Sequence, residues 1–225
     1  TPIKESIINK KTKNKPIWLM RQAGRYLPEF RKIRKLNPNF INLCLNDNLS
    51  SKITLQPLQR FKLDAAIIFS DILPPLAGMG LNLAFTKGSS PRILNPISNS
   101  ADVDALRITD PNEHMKATLQ AIQIVRQELA SKIALIGFAG APFTLATYAI
   151  EGTTSRQFSK TKRLMFEQPI IWHSLMSKLS KVVQSYLIAQ ANAGAQALQL
   201  FDSWVGILAK SDYQEYVLPY IKQIF

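Results

Sequence analysis

The sequence predicts an α/β fold built on parallel strands, and three features predict it. Four apolar runs of strand length recur along the 225 residues, at Pro16–Met20, Ala65–Phe69, Ile133–Phe138 and Ala197–Phe201. Each stops at a polar or glycine-rich end: Arg21-Gln22, Ser70-Asp71, Ala139-Gly140 and Asp202-Ser203. A helical pattern follows each of them. Strands alternating with helices imply right-handed βαβ units and a parallel sheet. In such folds the loops after the strand carboxyl ends carry the active site, so these ends are expected to converge on one mouth.

The first run feeds Arg21-Gln22-Ala23-Gly24-Arg25, a loop with two arginines and a glycine. Gly24 lets the backbone turn tightly or approach a ligand closely. Arg21 and Arg25 offer planar donor forks that match carboxylates better than lysine does. Pro28 suits the first position of a helix, which should run to Leu36, before Asn37-Pro38. Arg31 and Arg34 then share one helix face. A solvated basic turn leading into an ordinary amphipathic helix is the alternative reading of the same residues.

Asn37 to Leu45 predicts a short helix, and Asn48 or Ser50 the cap of the next one, which ends near Phe61. Ala65–Phe69 has no polar alternation, the mark of a strand covered on both faces. Pro74, Pro75, Gly78 and Gly80 mark a loop or broken helix, and Leu81–Phe85 a minor strand near Arg92. Pro111 opens a helix to Ala130 with Met115, Leu119, Ile122 and Val125 on one stripe. After the Ile133–Phe138 strand, Pro142 to Ile150 reads as helix, with Tyr148 near its end. Helices at Arg156–Glu167 and Pro169–Ala193 follow, the second closed by Gly194. Beyond the Ala197–Phe201 strand, a last helix runs from Lys210 to Phe225.

Composition sets the outer bounds. With 46% hydrophobic and 19% charged residues, the chain can bury one large core. Its net charge of +13, from 28 basic and 15 acidic side chains, predicts an anionic partner: nucleic acid, acidic lipid or a polyanionic small molecule. A lone cysteine, Cys44, allows no intrachain disulfide and makes a thiolate zinc site implausible, in keeping with a reducing compartment. The apolar window Ile133–Ile150 is interrupted by Gly137, Gly140 and Pro142, so strand, loop and helix fit it better than a membrane span. The N-terminal stretch has no apolar signal core, and residues 1–15, with Lys10, Lys11, Lys13 and Lys15, read as a flexible basic arm. A cytoplasmic location is the expectation.

The run Met20-Arg21-Gln22-Ala23-Gly24-Arg25-Tyr26-Leu27-Pro28-Glu29-Phe30-Arg31 resembles the signature of the uroporphyrinogen decarboxylase family, lyases of porphyrin and haem biosynthesis. Leu63–Leu73, Leu135–Leu145 and Gly194–Ser203 are similar to later blocks of that family, in the same order and spacing. The resemblance implies a (β/α)8 TIM barrel, of which residues 1–225, read as a single incomplete barrel domain, supply roughly the first half to two thirds, since a closed barrel usually takes about 250 residues. It also implies a homodimer, no cofactor, no metal, and a further histidine beyond Phe225.

The implied reaction converts the acetate arms of uroporphyrinogen III to methyls, giving coproporphyrinogen III and carbon dioxide. By resemblance, Asp71 sits at the ring centre, accepts the pyrrole N–H groups and stabilises positive charge on the ring. Read from the residues alone, an aspartate at a strand end is more often a helix N-cap. Arg21 and Arg25 match the family's arginines for side-chain carboxylates, with Arg21 also counted as catalytic. Gln22, Ala23 and Gly24 line the same loop. Arg34 matches a cleft arginine, Tyr148 a tyrosine near the reacting acetate, and Ser203 and Phe201 a substrate-contacting hydroxyl and an apolar wall. His114 and His173 match no family site and read as structural or surface residues.

Two other classes compete. A corrinoid or coenzyme M methyltransferase would share the barrel, but needs zinc ligands that Cys44 alone does not supply. A basic RNA-binding module fits the charge, but the basic residues are scattered rather than gathered on a stripe with stacking aromatics. Neither nucleic acid nor membrane is expected as partner.

Overall fold

The computed structural model describes residues 1–10, 12, 15–84 and 91–225. Its elements, in chain order, are α1 (Pro2–Asn9), α2 (Pro28–Leu36), α3 (Phe40–Cys44), α4 (Asp47–Arg60), β1 (Ala65–Ile67), α5 (Pro74–Gly78), β2 (Leu83–Ala84) and β3 (Arg92–Ile93). There follow α6 (Ser100–Asp104), α7 (Pro111–His114), α8 (Lys116–Glu128), β4 (Ala134–Gly140), α9 (Pro142–Glu151), α10 (Ser159–Glu167) and α11 (Pro169–Asn192). The chain continues through β5 (Ala197–Phe201), α12 (Lys210–Tyr216) and α13 (Leu218–Ile224).

The main sheet has the order β1-β4-β5. β1 runs parallel to β4, with Ala65, Ala66 and Ile67 opposite Ala134, Leu135 and Ile136. Gln196 N–H donates to the Leu135 carbonyl and Ala141 N–H to the Phe201 carbonyl. These bonds advance in the same sense along both strands, so β5 is parallel as well. Three of the four expected strands are therefore present, and β5 has the predicted bounds. The chain gathers into two compact units. One comprises Thr1–Asp71, Met115–Phe138 and Leu187–Gln199; the other comprises Ile72–His114, Ala139–Tyr186 and Leu200–Phe225.

In the first unit, the segment expected to be the opening strand is irregular, and Ile17, Leu19 and Met20 are exposed. Only Ile17 pairs in strand fashion: its carbonyl accepts from Asp64 N–H at 2.8 Å, and its N–H donates to Asp64 Oδ2 at 2.7 Å. Beyond that point a side chain takes the place of a neighbouring strand. Gln22 Nε2 donates to the Ala65 carbonyl at 2.7 Å, and Gln22 Oε1 accepts from Ile67 N–H at 3.3 Å. Successive residues of a strand alternate between its two edges. Ala65 and Ile67 thus face away from the edge that bonds β4 through Ile68 N–H.

The first residues also depart from expectation. Where a basic arm over 1–15 was expected, Pro2–Asn9 is helical. Thr1 accepts from Lys4 N–H as N-cap, Pro2 opens the helix, and Ile3 is buried against Ala65, Ala134 and Ile136 beside Trp18. Burial of one apolar side chain outweighs the solvation of its basic neighbours. Lys11 and Lys13 lie outside the described residues.

α2 has the predicted bounds. Its apolar side enters a cluster of Leu27, Phe30, Leu43 and Ile53, with Ala23 and Phe69 packed against it. Asn46, rather than Asn48 or Ser50, caps α4, accepting from Leu49 N–H. α4 packs against α8 and closes one side of β1. It also holds the chain just past that strand: Thr54 Oγ1 accepts from Phe69 N–H at 2.9 Å, and Ser50 Oγ donates to the Phe69 carbonyl at 2.5 Å. Both backbone groups of Phe69 are thus satisfied by a helix on the edge that faces away from β4. Inside β4, Gly137 lets Gln190 of α11 come close enough to bracket Phe138, accepting from its N–H and donating to its carbonyl, each at 2.8 Å.

In the second unit, β2 and β3 form a two-residue antiparallel pair, Leu83 opposite Ile93 and Ala84 opposite Arg92. Phe85, the expected end of that minor strand, lies outside the described residues. α9 follows the end of β4 as predicted and is closed by Gly152 at φ 75°. α10 begins three residues later than expected, after Phe158, which adopts φ 52° and is buried against Trp204 at 5.5 Å between ring centroids. The expected last helix divides at Val217 into α12 and α13. Pro219 in the first turn of α13 has no N–H with which to continue α12. The expected helix over 111–130 also divides, at Met115. No helix among the described residues is long and apolar enough to cross a membrane.

Candidate active site

Four features hold the loop after Met20 in place. The Leu27 N–H bonds the Gly24 carbonyl at 3.0 Å, closing the turn before Pro28. Gln22, only 2% exposed, points inward and spends both ends of its amide on β1. The Tyr26 hydroxyl donates to the Gln22 carbonyl, and burial raises its pKa above the usual phenol value. Ala23 and Leu27 pack into the same apolar cluster as Phe69, which precedes Asp71 by two residues.

Arg21 and Arg25 differ from everything around them. Both are exposed, and among the described residues neither guanidinium has a hydrogen-bond or ion-pair partner. Other arginines nearby are occupied. Arg60 pairs with Glu29 at 2.5 Å and holds that carboxyl below its usual pKa. Arg34 donates from Nη1 to the Asn37 and Pro38 carbonyls, both at 3.0 Å, and lies 5.8 Å from the Phe40 ring centroid. It closes the carboxyl end of α2 and is half-buried there, a more committed position than that of a free cleft arginine.

Asp71 follows the end of β1 and is half-buried. It does not cap α5: the N-cap position there belongs to Leu73, which makes no side-chain cap bond. Cys44, fully buried, has its thiol pushed well up by burial first and by the Asp71 charge second, while Arg34 acts the other way. The charges of Asp71 and Arg34 therefore both reach the Cys44 thiol. Of the residues the sequence singled out, the first unit holds Arg21, Gln22, Ala23, Gly24, Arg25, Arg34 and Asp71. Gln22 faces β1 rather than solvent.

The second unit holds Tyr148, Phe201 and Ser203. Tyr148, half-buried in the last turn of α9, lies 6.1 Å from Trp204 between ring centroids. Phe201 ends β5, and Ser203 is exposed in the turn after it. Between them, Asp202 accepts a 2.7 Å hydrogen bond from Thr144 Oγ1, which itself accepts from Trp204 N–H at 3.3 Å. Burial raises the Asp202 pKa above the usual carboxylate value against the opposing Thr144 bonds. The sequence reading passed over this residue, although its place at a strand end was visible. His173 bonds Tyr220 through Nδ1 at 2.6 Å and stacks on Tyr216, a helix-to-helix contact. Among the described residues no group of three or more His, Cys, Asp or Glu side chains is placed to hold a metal ion.

The parallel strands β1, β4 and β5, with Asp71 beyond the carboxyl end of β1 and Asp202 beyond that of β5, define a protein of the α/β class. A methyltransferase from Methanosarcina mazei has a similar structure, with a TM-score of 0.79 at 13% identity, over 99% of this chain and 65% of that one. At that identity the likeness concerns the fold, a (β/α)8 barrel of which the chain supplies a part. The particular family follows from sequence. The chain belongs to the uroporphyrinogen decarboxylase family: the model described as Uroporphyrinogen decarboxylase (URO-D) matches residues 2–225. Proteins named uroporphyrinogen decarboxylase are similar to it from Chloroflexus aurantiacus, 54% identical over 93% of the chain and 58% of that protein, and from Vibrio cholerae, 48% identical over 93% and 59%. A third, from Roseiflexus, is 52% identical over 92% and 60%. The chain therefore spans a little under two thirds of the length of these relatives.

Proposed function

We propose that the protein is a uroporphyrinogen decarboxylase, acting on the acetate arms of the tetrapyrrole without a cofactor. Family membership sets the class, and one observation supports the substrate. Arg21 and Arg25 are held on a firmly anchored loop with their guanidinium groups exposed and unpaired. Unpaired forks of fixed position suit a ligand that brings carboxylates.

The chemistry asks little of the protein beyond charge and placement. Protonation of a pyrrole carbon turns the ring into an iminium. The bond between the acetate methylene and its carboxylate then breaks, the electron pair moves into the ring and carbon dioxide leaves. A proton added to the exocyclic methylene then makes the methyl group, and loss of the first proton from the ring carbon restores the pyrrole, so one proton is taken up for each carbon dioxide released. In this reading Asp71 accepts the inward pyrrole N–H groups and stabilises the cationic ring. Arg21 and Arg25 clamp side-chain carboxylates, with Arg21 able to pass a proton through water. Gly24 and Ala23 leave room for the ring, and Gln22 serves the site by fixing the loop. Arg34, by its match to the family's cleft arginine, adds positive charge to the site. Tyr148, Phe201 and Ser203 line the part of the substrate near the reacting acetate.

The test is turnover by the intact protein. Uroporphyrinogen III supplied anaerobically should be converted to coproporphyrinogen III with release of carbon dioxide, and no conversion by folded protein overturns the reading. A homodimer and a cytoplasmic location complete the proposal. They rest on the family resemblance, and sedimentation of the intact protein would test the first.

A further inference from the structure

We infer that Arg31 is a positioning residue for the arginine loop: it fixes the backbone that aims Arg25. The inference rests on the proposed carboxylate-clamping role of Arg25. Arg31 Nη1 donates to the carbonyl of Arg25 at 2.9 Å and to that of Tyr26 at 3.1 Å. One guanidinium nitrogen thus holds two consecutive peptides, and the first belongs to Arg25 itself. The hydrogen bonds of a charged donor are roughly twice as strong as neutral ones.

The anchor under Arg31 is rigid. α2 is pinned by Phe30 in the core and by the Glu29–Arg60 pair to α4. Of the loop's other ties, Gln22 to β1 holds the segment before Arg25, the Tyr26 hydroxyl reaches back to the Gln22 carbonyl, and the Leu27-to-Gly24 bond closes a turn with Arg25 and Tyr26 at its centre. Among the described residues no other side chain holds the Arg25 carbonyl. Without Arg31, the Arg25 and Tyr26 peptides at the centre of that turn lose their side-chain anchor, and the Arg25 fork loses its bearing. A lysine carries the charge but not the planar donor set, so it should reach one carbonyl at most.

The experiment compares Arg31→Gln, Arg31→Lys and Arg25→Gln in the intact protein by steady-state kinetics and by amide hydrogen exchange over residues 21–26. Arg31→Gln should raise KM for uroporphyrinogen by about tenfold, with kcat within about twofold. Exchange of the Arg25–Tyr26 segment should rise by about tenfold, and Arg31→Lys should recover part of both effects. A raised KM with unchanged exchange would make Arg31 a direct substrate contact and overturn the inference; so would wild-type KM and exchange. If Arg25→Gln leaves KM unchanged, the clamping role of Arg25 fails. The exchange measurement then still decides whether Arg31 holds the loop.

Discussion

Gln22 and Ala65 are joined by a 2.7 Å hydrogen bond from the side-chain amide of the first to the carbonyl of the second, at the edge of β1 that faces away from β4. The other end of the same amide takes Ile67 N–H. A single buried side chain thus satisfies two ladder groups that would otherwise be unpaired, and fastens the arginine loop to the sheet.

Replacing Gln22 by leucine keeps the bulk and removes both bonds. The Ala65 carbonyl and Ile67 N–H are then buried without partners, which should destabilise the fold by about 1–3 kcal/mol. Urea unfolding checks this, and an unchanged midpoint would mean that the amide does not hold the loop.

Gly137→Ala should be unfavourable for a different reason. An added Cβ would run into Gln190 Oε1 and approach Ala195 Cβ at 3.1 Å. Gln190 is fully buried and holds Phe138 at both backbone groups, so it has nowhere to retreat without losing those bonds. A loss of about 1–3 kcal/mol is expected from thermal or chemical unfolding. A neutral result would show that α11 moves freely against β4.

Asp202 gives a pH signature. Its pKa is raised by burial in the folded protein, so the folded state keeps the proton where the unfolded chain has released it. The stabilising contribution of the neutral form is complete below the unfolded value, about 3.9, and is lost as pH rises through the higher folded value. Asp202→Asn cannot ionise. Wild-type stability should therefore fall relative to that variant as pH rises above about 4. Parallel pH–stability curves for the two proteins would contradict the assignment.

Much of this was legible in the chain, and the exceptions have physical causes. α2 was readable to the residue because Pro28 suits its first position and Asn37-Pro38 stops it. β5 was readable because an apolar run lies between Gly194 and Asp202. The opening strand was misread: its composition is that of a strand, but a strand needs a neighbour, and past Ile17 the place beside β1 is filled by Gln22. The helix at Pro2–Asn9 has a proper start in Thr1-Pro2, but half of its residues are polar and the single buried Ile3 that anchors it is followed by a run of lysines typical of a solvated arm. In the candidate site, residue types point to Arg21 and Arg25, and the family resemblance points to Asp71. They said nothing of Gln22 turning inward or of Asp202 bonding Thr144, since each depends on a partner far away in sequence, nor of which carbonyls the Arg34 side chain takes at the end of its own helix.

The central claim is that Asp71 stabilises the cationic ring, and Asp71→Asn in the intact protein tests it most directly. The amide keeps the shape and loses the charge. The account predicts a fall in kcat for uroporphyrinogen of about a hundredfold or more, with the unfolding midpoint little changed. Turnover near the wild-type rate in the folded variant would contradict it.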